Sequence, residues 1–193
     1  AKKQYLELLA RDPKQFRLYG MLGQIALMQG DYDEAERDNN EALKIAPQFA
    51  EAMGQLGLIA MLRGDESAAQ SWYERALKID PGFPTLHRRL ADLYYERGQY
   101  DLALKEYLEA NKGQPKDMRS LLQAGASARR TGQMEQAEQL LRKAMALHPK
   151  SWIPRYNLAC LQAKQGQAQA AFTTLGDSID RGMVYANLLV EDP

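Results

Sequence analysis

Residues 48–81 read QFAEAMGQLGLIAMLRGDESAAQSWYERALKIDP, and residues 82–115 read GFPTLHRRLADLYYERGQYDLALKEYLEANKGQP. Laid one over the other, they match Leu56 with Leu90, Gly64 with Gly98, Ala69 with Ala103, Tyr73 with Tyr107 and Pro81 with Pro115, always 34 residues apart. The same step runs outward in both directions. Glycines stand at Gly30, Gly64, Gly98, Gly132 and Gly166, and prolines at Pro13, Pro47, Pro81, Pro115 and Pro149. Alanines follow at Ala1, Ala35, Ala69, Ala103, Ala137 and Ala171. Three interleaved series without gap or insertion establish an internal repeat, the sequence sign of a stacked-unit architecture.

Each marker has a physical reason. Gly tolerates the left-handed backbone that ends a first helix. Ala, five residues later, suits a close approach of two helices. Pro closes the second helix, because it lacks an N–H and disfavours helix in the residue before it. Apolar spacing between the markers is helical. Leu22, Leu56, Leu90 and Leu158 lie eight residues before their Gly, each followed by a small residue: Gly23, Gly57, Ala91 and Ala159. Asp31 and Asp65 are placed as N-caps, and Glu34 completes a capping box with Asp31. Nothing reads as a strand, and short connections force antiparallel neighbours.

Charge and chemistry then narrow the function. Twenty-five basic residues balance twenty-five acidic ones, which argues against a phosphate-neutralising surface and hence against nucleic acid. A lone cysteine, Cys160, excludes an internal disulfide. His87 and His148 fall in different repeats with no ligand spacing around either, so no metal is expected. No nucleophile with base and orienter can be assembled, no Gly-rich phosphate loop occurs, and Asp33–Glu34 and Asp65–Glu66 sit where helix dipoles account for them. Neither an enzyme nor a cofactor is expected. No apolar run approaches the roughly 20 residues of a membrane span, so direct insertion is not expected either. The chain begins at Ala1 rather than Met, as an excised or processed piece would, and cytoplasm and periplasm suit it equally.

The arrangement Tyr19, Leu22, Gly23, Ala26, Gly30, Ala35, Ala42 and Pro47 resembles the tetratricopeptide repeat family, and four further copies follow it. The resemblance implies an all-α solenoid, a right-handed superhelix of stacked antiparallel helix pairs forming a single domain. Its expected layout is a second helix of an incomplete repeat at 1–13, with Tyr5 and Leu8 in register, then repeats at 14–47, 48–81, 82–115, 116–149 and 150–182. Residues 183–193, MVYANLLVEDP, are expected to form a capping helix or the start of a truncated continuation. The incomplete first repeat leaves an apolar face, and self-association is expected to run through that face or through the C-terminal helix. Two departures stand out. Asn39 and Asn40 fall where other repeats carry Tyr73 and Tyr107, and are expected to turn their amides to solvent in a loosened helix pair. Arg155 replaces the packing Tyr of Tyr19, behind Pro154 at the helix start.

The resemblance also implies a concave wall lined by the first helices, at positions thirteen, ten, nine, six, three and two before each Gly. The partner-binding residues so assigned are Gln24, Leu27 and Met28 in the first full repeat, and Gln55, Leu58, Met61 and Leu62 in the second. Arg88, Arg89, Asp92 and Tyr95 follow in the third, Arg119, Gln123, Arg129 and Arg130 in the fourth, and Asn157 in the fifth. The first part is apolar and Met-rich, suited to irregular apolar ligands, with Gly20 and Gly54 expected to open space in it. From Arg88 onward the wall turns basic, suited to carboxylates. The family's grip on chaperone C-terminal carboxylates uses Lys and Asn, where this chain has Gly20, Gln24, Gly54 and Leu58, so that mode is not expected. The expected function is a scaffold that holds a partner protein or peptide bearing acidic groups. The alternatives are a homo-oligomerising assembly protein and a regulatory module of a larger enzyme or secretion-type complex.

Overall fold

The structure, a computed structural model, describes residues 2–183. The expected helix at 183–193 therefore lies outside the described residues, apart from Met183. Among the described residues there are eleven helices and no strand. The chain divides into two compact units, Ala1–Leu93 and Tyr94–Pro193.

The first unit holds α1 (Lys2–Arg11), α2 (Phe16–Gln29), α3 (Tyr32–Ile45), α4 (Ala50–Leu62), α5 (Glu66–Ile79) and most of α6 (Pro84–Glu96). Helix α2 packs on α3, α4 on α5, and α3 also meets α4. The turn between α2 and α3 needs its glycine: Gly30 has φ 78°, and the N–H groups of Asp31 and Gly30 donate back to Ala26 O and Leu27 O at 3.0 and 3.1 Å. Gly64 repeats the device at φ 80°. The carboxylates of Asp31 and Asp65 accept the N–H of Glu34 and of Ala68, each at 2.9 Å, and so cap α3 and α5. One core cluster joins Ala26, Ala35, Leu56 and Ile59, with Leu27, Tyr32, Leu43 and Trp72 packed on it. A second joins Leu9, Leu18 and Leu22 with Tyr5 and Tyr19. Helix α1 is thus held through Tyr5 and Leu9, while Leu8 is exposed.

Asn39 does not turn to solvent. It is fully buried, its amide donating to Ala35 O at 2.8 Å and to Gln55 Oε1 at 3.1 Å. Gln55 Nε2 in turn donates to Gly20 O at 3.1 Å. The reason is steric: a Cβ at Gly23 would lie 2.4 Å from Asn39 Nδ2, so the missing side chain is the space the amide occupies. The second repeat uses the same slot for an aromatic ring, since a Cβ at Gly57 would lie 2.4 Å from the Tyr73 ring.

On α3, burial and the neighbouring Glu34 push the Asp38 carboxyl up to about 6, partly offset by Lys2 and Arg37. A carboxyl raised in the fold opposes folding once ionised. Its cost grows as pH rises from its unfolded value through about 6. Asp38→Asn should therefore raise unfolding stability at pH 7.5 by about 1 kcal/mol, after allowance for solvent screening. The gain should vanish below about pH 4, where both states carry a neutral carboxyl. Thermal unfolding of both proteins across that pH range checks it, and a pH-independent difference would contradict the assignment.

The second unit continues from the end of α6 through α7 (Tyr100–Gly113), α8 (Met118–Arg130), α9 (Met134–Leu147), α10 (Ile153–Lys164) and α11 (Ala168–Asp180), and from α7 onward each helix packs on the next. Tyr107 is fully buried on α7, and buried Asn111 accepts from Lys143 Nζ at 2.7 Å. Arg155 is only 6% exposed. It donates to Asp177 Oδ2 at 2.5 Å and to Ser151 O at 2.8 Å, so an ion pair fills the place of the packing tyrosine. The hydrogen bond from Arg155, helped by Arg181, holds the Asp177 carboxyl below its usual range. That contribution to stability is present above the ordinary carboxylate pKa and is lost as pH falls through the lowered one.

Candidate functional site

In the first unit, α2, α4 and α6 converge on a pocket of ≈ 210 Å³. Its walls are Gln24 of α2, Glu51, Gln55 and Leu58 of α4, and Leu86 and Arg89 of α6. Phe83 and Thr85, at the entry to α6, complete the rim. Four of the assigned partner-binding residues thus meet in one place: Gln24, Gln55, Leu58 and Arg89. None of the other assigned residues of this unit is buried, but they serve differently. Leu27 packs on the core cluster, Met61 is half-buried, and Met28 and Leu62 are 80% and 51% exposed. Arg88 and Asp92 are half-buried on α6.

Gly20 and Gly54 do not open ligand space. A Cβ at Gly20 would lie 2.7 Å from the Phe49 ring, and one at Gly54 would lie 2.8 Å from Leu86 Cδ2. Both glycines are buried seats for a large side chain of the following first helix. The hollow that remains lies beside Leu86 rather than over the glycines. A pairing signal could have shown this in the sequence, because each small residue is answered by a bulky one about 30 residues on (Phe49 after Gly20, Leu86 after Gly54).

The floor follows a rule of its own. The residue nine before the Gly on a first helix reaches the residue nine after the Gly of the preceding second helix. Gln55 meets Asn39 in this way, and Arg89 meets Tyr73. Tyr73 is fully buried, and its hydroxyl, which has no partner at ordinary hydrogen-bond distance, faces the Arg89 side chain at longer range. Burial pushes its pKa up, while the Arg89 cation pulls it back. The Asn39 Oδ1 is likewise buried without a partner. Gln55 is therefore partly committed to structure, whereas Arg89, half-buried, forms no ion pair among the described residues.

The second unit carries the remaining assigned residues. Tyr95 packs edge-on to Tyr100 with ring centroids 5.2 Å apart, and the Arg130 guanidinium lies 5.4 Å from the Tyr100 ring centroid. Arg119 is exposed, Gln123 and Arg129 are half-buried, and the Asn157 amide is turned onto Ile153 O at 3.0 Å in its own helix. Arg130 is thus stacked rather than free, and Asn157 is tied back. A separate apolar pocket of ≈ 330 Å³ lies between α10 and α11, beside Tyr156, Cys160, Phe172 and Leu175. Phe172 there is 71% exposed, and Cys160 is exposed rather than packed.

His87 and His148 hold loops, their ring nitrogens 2.8 Å from Pro81 O and 2.9 Å from Lys116 O. Among the described residues, no cluster of three His, Cys, Asp or Glu side chains could hold a metal. No described helix is long and apolar enough to cross a membrane.

Comparison with known proteins bears on the whole chain. Three family profiles described as tetratricopeptide repeat match residues 1–50, 60–125 and 119–151. No curated protein matches the sequence. Among solved structures, YrrB, described as a TPR protein with an unusual peptide-binding site, superposes with TM-score 0.86 at 17% identity, covering 98% of each chain. Residues 41 to the end of MamA from Desulfovibrio magneticus RS-1 superpose with TM-score 0.74 at 21% identity, over 92% of this chain and 97% of that one. Pseudomonas aeruginosa PilF superposes with TM-score 0.72 at 22% identity, over 94% of this chain and 82% of the other. At these identities the likeness concerns the fold, an all-helical repeat solenoid. The repeat register, the fold and the three profile matches agree, and the chain belongs to the tetratricopeptide repeat family, whose members serve in general as protein-interaction scaffolds.

Proposed function

We propose that this protein holds a partner protein or peptide against its first helices, and that in the first unit the seat is the pocket of α2, α4 and α6. One observation carries the reading: side chains from three successive first helices, assigned from the family resemblance and the repeat register, line one solvent-open hollow with half-buried Leu58 in it. A hollow of ≈ 210 Å³ accommodates a single aliphatic or aromatic side chain rather than a drug-sized molecule. That favours an extended segment laying down one anchor. YrrB, similar in fold, is itself described as carrying a peptide-binding site, which supports the same class of ligand here.

Heptapeptides selected from a random library on the immobilised protein, then fitted with a photocrosslinker, should attach to α4 and α6. Attachment confined to α3 and α5 would remove the proposal. The basic character of α8 supports a second contact in the other unit, for a partner with acidic groups. Exchange of Arg129 and Arg130 for Glu should weaken capture of such a partner about tenfold and flatten its salt dependence, without lowering helicity. Unchanged capture would remove the basic half of the reading. Self-association through the N-terminal face is the second reading, favoured by exposed Leu6 and Leu8 on α1. Light scattering over a concentration series separates it from docking.

A further inference from the structure

We infer that the α2–α4–α6 pocket selects an acidic side chain flanked by an aliphatic one, with Arg89 as the anion seat. The inference rests on the docking proposal and gives it a chemistry.

Four observations converge on Arg89. Arg89 is half-buried and lines a hollow whose other walls include Leu58, Leu86 and Phe83. It forms no ion pair among the described residues. The charged groups that do act nearby are those around Tyr73: the Arg89 cation and the Asp92 carboxylate. Facing Arg89 is the Tyr73 hydroxyl, fully buried and without a partner at ordinary hydrogen-bond distance, on a ring packed against Gly57. A cation partly withdrawn from water and held in no direct ion pair is stabilised only at longer range, by carboxylates such as that of Asp92. A carboxylate entering the pocket supplies the direct pair through the planar fork of the guanidinium, which Lys would not present. Tyr73 acts as a positioning residue, since its buried hydroxyl faces the Arg89 side chain without reaching the surface.

The occupant follows from the walls. Leu58 and Leu86 call for an aliphatic neighbour to the acid. Three helices line the hollow, so a segment crosses it rather than ending in it. An internal Asp or Glu therefore fits better than a chain terminus. Glu51, exposed on the α4 side of the hollow, works against a second acid there.

Random heptapeptides displayed against the native protein should enrich Asp or Glu next to Leu, Ile or Met. A selected peptide with its acid replaced by the amide should then bind about tenfold more weakly at low salt, as expected for loss of a charge-assisted hydrogen bond. Arg89→Gln should abolish that preference while leaving amide-peptide binding in place, and Arg89→Lys should restore only part of it. Raising the salt on the unmodified protein should narrow the acid-to-amide ratio, a readout that does not depend on any variant folding. Enrichment of apolar peptides without an acid would leave docking intact and overturn this inference. A preference that survives Arg89→Gln, or that belongs only to peptides with a free C-terminal carboxylate, would overturn it as well. No enrichment at all would overturn docking and the anion seat together.

Discussion

Tyr73→Ala should lower the unfolding free energy by about 3–5 kcal/mol, the range for deleting a well-packed buried aromatic. The ring has no exposure and sits against Gly57, where an added Cβ would lie 2.4 Å away, so little room exists for neighbours to collapse into the void. Deleting the ring also frees α4 from α5 at the repeat's own seam and removes the hydroxyl that faces Arg89. Denaturant melts of the two proteins measure the loss. A cost below about 1 kcal/mol would mean that the ring is not packed as described. Tyr73→Phe provides the contrast. Its hydroxyl has no partner at ordinary hydrogen-bond distance, so removing it should leave stability within about 1 kcal/mol of the parent or raise it.

Leu58→Asp should reduce peptide capture at least about a hundredfold, and helicity and melting should change little. Leu58 is half-buried and lines the pocket from the middle of α4. An anchor side chain entering a small apolar hollow typically carries at least about 2 kcal/mol of binding. A carboxylate in its place removes the apolar contact and adds a charge that any bound segment must desolvate. It would also offer Arg89 an internal anion and so compete with an acidic ligand. Titration of a library-selected peptide against both proteins measures the effect. Capture that persists at full strength would place the binding surface elsewhere, for instance at the apolar hollow between α10 and α11.

The two substitutions probe two different faces of α4, one covered by the Tyr73 ring of α5 and one carrying Leu58. Gly57 faces inward to a second-helix ring, and Leu58, one residue on, faces the hollow. That neighbouring residues differ so much in role is ordinary helix geometry, since successive side chains point about 100° apart.

Much of this protein is written locally. The step of 34 residues, the glycines at each first-helix end and the aspartate caps state the number and order of the hairpins before any contact is known. They do so because a left-handed turn, a missing N–H and a cap oxygen are properties of single residues acting on their own backbone. Four residues of the α2–α4–α6 pocket were also legible, because the family resemblance names the inner face of the first helices and helical periodicity then gives the positions on it. Three things were not. Asn39 reads as a polar intruder and is buried, because Gln55, sixteen residues away, supplies the partner that makes burial tolerable. Gly20 and Gly54 read as openings and are filled, because Phe49 and Leu86 come from the next first helix. Arg89 reads as one basic residue among several and is singled out by what faces it. Local backbone chemistry settles where helices start and stop, whereas packing between helices decides which gap is filled and which charge is left outside an ion pair.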